Sequence, residues 1–148
     1  MSANASAIPY ARPQVASASS GLITFLGRLF FVLVFLMSGP RHFMSQTIAY
    51  AASQGVPMAS IAVPFSGLLA CLGGLSVLVG YRAKIGAWLI VLFLVCITPM
   101  MHKFWAISDP MMQQIQMIMF MKNLSMLGGA LLITQFGAGP WSLDARGK

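Results

Sequence analysis

Acidic residues are nearly missing from this chain: two aspartates, Asp109 and Asp144, and no glutamate in 148 residues. All charged residues together make up 7%, against roughly 25% in an average soluble domain. Eleven charged side chains cannot cover the surface of a soluble protein of this size, and apolar residues reach 58%. A soluble globular domain and a disordered chain are therefore excluded. Cysteine is scarce as well. Cys71 and Cys96 both sit inside apolar runs, with no CxxC and no metal-ligand spacing, which excludes a secreted disulfide scaffold and suits two small side chains packed between helices. Ser-His-Asp order, phosphate loops, haem-attachment motifs and dinucleotide fingerprints are also lacking.

What the chain has is long apolar runs, with a mean hydropathy of +0.82. Four of them, residues 21–39, 61–80, 85–101 and 113–136, are long enough to cross a hydrocarbon core of roughly 30 Å. The expected fold is an all-α, four-helix transmembrane bundle in a multi-pass protein. Ser38-Gly39-Pro40 stops the first span, because proline disfavours helix in the residue before it. Residues 41–60 carry Met44, Ile48, Ala51 and Ala52 among polar residues, which suits a short interfacial helix. The second span has a small-residue face, Gly67, Ala70, Gly73 and Gly74, open to close helix packing. Residues 1–20 read as a flexible cytoplasmic tail and residues 137–148 as a second one.

The net charge of +7 is spread between the apolar runs rather than clustered, so it does not point to nucleic acid. With four spans, Arg12, Arg82, Lys84, Arg146 and Lys148 share one side and Arg41 and Lys103 the other. That asymmetry places both termini in the cytoplasm.

Two cations interrupt the spans. Arg28 is within snorkelling reach of the cytoplasmic end, where Asp144 offers an ion pair that would fold the tail under the bundle. Lys122, with Asn123 beside it, falls near the middle of the fourth span, where a cation costs roughly 2.5–3.5 kcal/mol. With no acid in any span, it calls for a polar cavity inside the bundle, lined also by Ile115, Ile118, Met126 and Gly129. His42 and His102 follow the first and third spans, so both imidazoles are expected at the outer rim beside Trp105. Eight of twelve methionines lie between Met100 and Met126; they suit a flexible apolar lining better than a copper site, and no metal site is expected.

Gly27-Arg28, Leu72-Gly73-Gly74, Met101-His102-Lys103-Phe104-Trp105, Lys122-Asn123-Leu124, Gly128-Gly129 and Gly139-Pro140-Trp141-Ser142-Leu143-Asp144 follow one another along the four spans. This succession, over roughly residues 27–146, resembles the DoxX family of small bacterial inner-membrane proteins. The resemblance implies a quinone-linked membrane oxidoreductase component, with no covalently bound cofactor and a quinone or similar molecule held by Arg28, Lys122, Asn123, His42, His102 and Trp105. Its partners would be membrane lipids, a partner oxidoreductase or a second copy of the chain. A non-catalytic accessory subunit of a larger membrane complex and a small-solute or anion transporter are the alternatives. One departure stands out: Ala70 occupies the place of a glutamate frequent in that family.

Overall fold

The structure, a computed structural model, describes residues 18–146. The tail read over residues 1–20 lies outside the described residues, apart from Ala18, Ser19 and Ser20, which already belong to the first helix. The described residues are helical, without strands, and run α1 (Ala18–Ser38), α2 (Ser45–Ser53), α3 (Ala59–Val79), α4 (Ala83–Met101), α5 (Pro110–Phe136) and α6 (Leu143–Arg146). Short 3-10 turns cover Gly39–Phe43 and Phe104–Ala106. Four helical stretches are long and apolar enough to cross a membrane, those containing α1, α3, α4 and α5. The chain is a multi-pass membrane protein.

Local chemistry sets the helix ends. α1 gives way at Gly39 to a 3-10 turn with Pro40 near its start. α3 closes on Gly80, whose φ of 68° is the left-handed cap that glycine adopts without strain. α5 begins at Pro110 rather than Gln113, because the Asp109 carboxylate accepts the Met112 amide at 2.8 Å and Pro110 fills the first helical position.

In lipid, apolar side chains gain little by leaving one hydrocarbon surface for another, so helix packing rests on close approach and shape. The small residues provide that approach. A Cβ on Gly73 would lie 2.7 Å from the Gly86 carbonyl, so α3 and α4 meet backbone to backbone. Around that seam Val32 and Phe35 of α1, Ala70 and Val77 of α3, Ala87, Ile90 and Leu94 of α4, and Ala130 of α5 form the core. Phe35 meets Phe93 edge-on at 6.0 Å, joining α1 to α4. α5 packs mainly along α4 and meets α1 where Phe31 covers Gly129.

Ala70 is fully buried in this core. A glutamate there would need a buried partner.

Candidate functional site

α1 ends, and the turn Gly39–Phe43 carries the chain across the middle of α3, at Ser66, Gly67 and Cys71. The crossing is tight: a Cβ on Gly67 would fall 2.6 Å from the His42 Cβ and 2.7 Å from the Gly39 carbonyl. The missing side chain of Gly67 therefore seats His42 between α3 and α4. Its ring lies 5.8 Å from that of Phe93, and the residue is only 9% exposed.

His42 Nδ1 is 2.8 Å from the Ser66 Oγ, and that hydroxyl donates to the Val63 carbonyl at 2.7 Å. With its hydrogen on Val63, the hydroxyl oxygen accepts from Nδ1–H. This assigns the Nδ1–H tautomer and leaves Nε2 as an acceptor. The ring also interacts with the Val63 backbone, and no side-chain partner is found for Nε2 among the described residues.

His42 and Ser66 are two of the few polar residues in the wall of a cavity of about 410 Å³ between α2, α3 and α4. Thr47 and Ala51 of α2, the Val56–Met58 loop, Leu69 of α3, and Phe93, Cys96 and Ile97 of α4 line it. Phe65, Leu92 and Met58 belong to the same wall yet face outward, which puts the mouth on the bundle's exterior. Cys96 is an exposed free thiol in this wall, whereas Cys71 packs against Gly39. The cavity suits an apolar chain or ring with one hydrogen-bond donor for Nε2.

The other polar residues singled out from the sequence do not converge here. His102 is bound to Gln116 of α5 at 2.7 Å and is not among the residues that line the cavity. Trp105 is exposed and stacks edge-on with Phe104 and Phe120. Lys103 instead donates to the Gln54 carbonyl at 3.2 Å, closing α2 onto the loop before α5.

Lys122 is on the exposed face of α5, with Nζ 3.3 Å from the Met119 sulfur. The interior direction of α5 runs through Asn123, Ala130 and Thr134. Lys122 is turned about 100° from Asn123, so the polar interior cavity expected around it does not form. Ile115 and Ile118 are exposed with it.

Arg28 reaches the folded-back tail, but not through the expected ion pair. Its Nη2 donates to the Trp141 carbonyl at 2.6 Å. The Asp144 carboxylate instead accepts the amides of Arg82 and Ala83 at 2.8 and 3.0 Å, capping the start of α4. A backbone cap uses both carboxylate oxygens in a geometry that a guanidinium from α1 does not share.

Among the described residues no group of three or more His, Cys, Asp or Glu is placed to hold a metal ion. Serine 66, Phe93 and the Val56–Met58 loop were not singled out from the sequence, because their juxtaposition depends on how α2 folds back. The signal that was present is Gly67, a small residue one position from Ser66 in a span.

Comparison with known proteins corrects the family. Over residues 17–148 the chain matches the model of the SURF4 family, not DoxX. It is 27% identical over 131 residues to the inner membrane protein YphA of Escherichia coli strain K12, covering 87% of this chain and 93% of that protein. It is 26% identical over 130 residues to the ER-derived vesicles protein ERV29 of Saccharomyces cerevisiae, covering 88% of this chain and 35% of the yeast protein. The chain thus spans about a third of the length of ERV29 and nearly all of YphA. No solved structure matches it. With the DoxX resemblance falls the quinone-linked oxidoreductase reading. The chain belongs to the SURF4 family.

Proposed function

We infer that this protein is a membrane-embedded binding protein that takes an apolar molecule sideways from the bilayer into the cavity between α2, α3 and α4. The ligand is an acyl chain carrying one hydroxyl or protonated acid group. One observation carries this reading: an apolar cavity of about 410 Å³ has its only imidazole, His42, tautomerically set by Ser66 and with no side-chain partner for Nε2 among the described residues. An acceptor in an apolar cavity is costly unless a ligand or water satisfies it. Binding, rather than bond-breaking, fits the surroundings of His42. The Ser66 hydroxyl is committed to the Val63 carbonyl, and both aspartates cap backbone amides elsewhere. The similarity to YphA supports a place in a bacterial inner membrane.

Photoactivatable acyl probes in nanodiscs test the reading. Crosslinks are expected at the cavity wall, on Phe65, Leu92 and Cys96. Cys96→Trp fills the cavity from an exposed position and should abolish them without unfolding the chain. Crosslinks spread evenly over the outer faces of α1 and α5 would reject it.

A further inference from the structure

A second polar feature lies at the opposite end of the bundle from the cavity. Arg28 is only 4% exposed. Beyond the Trp141 carbonyl bond, its Nε and Nη1 are buried with no hydrogen-bond partner. Both Asp144 oxygens are engaged by the amides that start α4. A buried guanidinium thus keeps unused donors; Asp144 lies near enough to offset part of its charge but makes no hydrogen bond to it.

Beside it runs a groove of about 610 Å³ between the start of α1 and α6. Phe25, Trp141 and Ser142 wall this groove and also enclose the guanidinium: its Cζ is 5.9 Å from the Phe25 ring centroid, Trp141 accepts its hydrogen bond, and Ser142 meets it over Gly80. Arg146 stands exposed in the same wall. Leu22, Val79 and Leu143 give the groove an apolar rim open to the outside. One guanidinium in the groove, Arg146, a second behind its Phe25, Trp141 and Ser142 wall, and an apolar rim match a phosphate attached to acyl chains: the oxyanion seeks charged N–H donors and the chains seek hydrocarbon.

We propose that this groove is a phosphate site for an anionic lipid headgroup, with Arg146 as its direct ligand and Arg28 as the buried charge behind it. The oxyanion rests on the Arg146 guanidinium. The Arg28 charge acts on it through the Trp141-Ser142 wall, where low dielectric preserves the attraction. The upper acyl chains lie along Leu22, Phe25 and Val79. Free phosphate shares the oxyanion chemistry but not the chains.

The full chain in mild detergent is offered phosphatidylglycerol or phosphatidylcholine of the same acyl composition, and retained lipid is counted by native mass spectrometry. One phosphatidylglycerol is expected per chain, in preference to phosphatidylcholine. Arg146→Gln, an exposed change, should weaken its retention about tenfold, as loss of one charge-assisted contact does. Lys84→Gln removes an equal charge near the same end but outside the groove, and should leave retention unchanged. Equal retention of the two lipids overturns the site. So does equal loss in both variants, which would mean diffuse attraction to a basic end. Competition by inorganic phosphate names the source: displacement supports a bare oxyanion in the groove, and failure to displace supports the lipid.

Discussion

His42 and Ser66 are joined across the α1–α3 crossing, Nδ1 to Oγ at 2.8 Å, and the hydroxyl passes its own hydrogen to the Val63 carbonyl at 2.7 Å. The relay holds the imidazole by one nitrogen, in the wall of the cavity. Ser66→Ala removes the acceptor and frees the ring to change tautomer. The expected cost to folding is about 1 kcal/mol, the net worth of one hydrogen bond. Probe crosslinking in the cavity should fall further than the melting temperature does. Unchanged crosslinking in Ser66→Ala would show that the relay does not orient the ligand.

Gly67→Ala tests the seat itself. The added methyl would meet both the His42 Cβ and the Gly39 carbonyl, at 2.6 and 2.7 Å. One contact is with backbone, which cannot swing aside, so the crossing must open. A loss of about 1–3 kcal/mol is expected, as for other overpacked cores. Thermal unfolding in detergent reads it. Gly128→Ala is the control, since a Cβ there meets nothing within 4 Å, and alanine favours helix over glycine by about 1 kcal/mol.

Lys122→Met separates the sequence expectation from the folded geometry. Lys122 is exposed and outside the cavity wall. Its replacement should ease membrane insertion, by up to roughly 2.5–3.5 kcal/mol if the ammonium sits at mid-membrane, and leave cavity crosslinking at the level of the unmodified chain. A glycosylation-based insertion assay and the crosslinking assay together measure both quantities. Loss of crosslinking with insertion intact would return Lys122 to the binding site.

Asp144→Ala should release the tail. It removes two charge-assisted bonds, to the Arg82 and Ala83 amides, at a cost of about 2 kcal/mol in a partly exposed setting. Trp141 is held at a left-handed φ of 56°, a conformation that persists only where neighbours enforce it. Limited trypsin digestion should therefore cut at Arg146 and Arg82 faster in the variant, while cleavage elsewhere stays unchanged.

Much of the fold was legible because length and hydropathy act on whole segments: an apolar run near twenty residues has few alternatives in a membrane. Helix ends were legible where a cap was read. Ser38-Gly39-Pro40 marks the end of α1, and Asp109-Pro110 is an equally plain start signal for α5, three residues before its apolar stretch. Helix rotation was not legible. α5 mixes Gln113, Gln116, Lys122, Asn123, Ser125 and Thr134 with apolar residues on every side, so no periodicity says which face turns inward. A lipid-facing surface is as apolar as a core, and that removes the contrast on which amphipathic patterns depend. The cavity was hidden for a different reason: it exists between elements, where α2 folds back on α3, and no single span contains it.

The clasp formed by Trp141 and Asp144 has a consequence for how the molecule is made. Arg28, in the first helix, has no Trp141 carbonyl to bind, and the start of α4 no Asp144 cap, until the chain has been synthesised past both. During insertion α1 must therefore wait in the membrane with its guanidinium turned to headgroups or water, while three further helices arrive. The clasp therefore closes only once the last segment has emerged, and it ties the first and third long helices together.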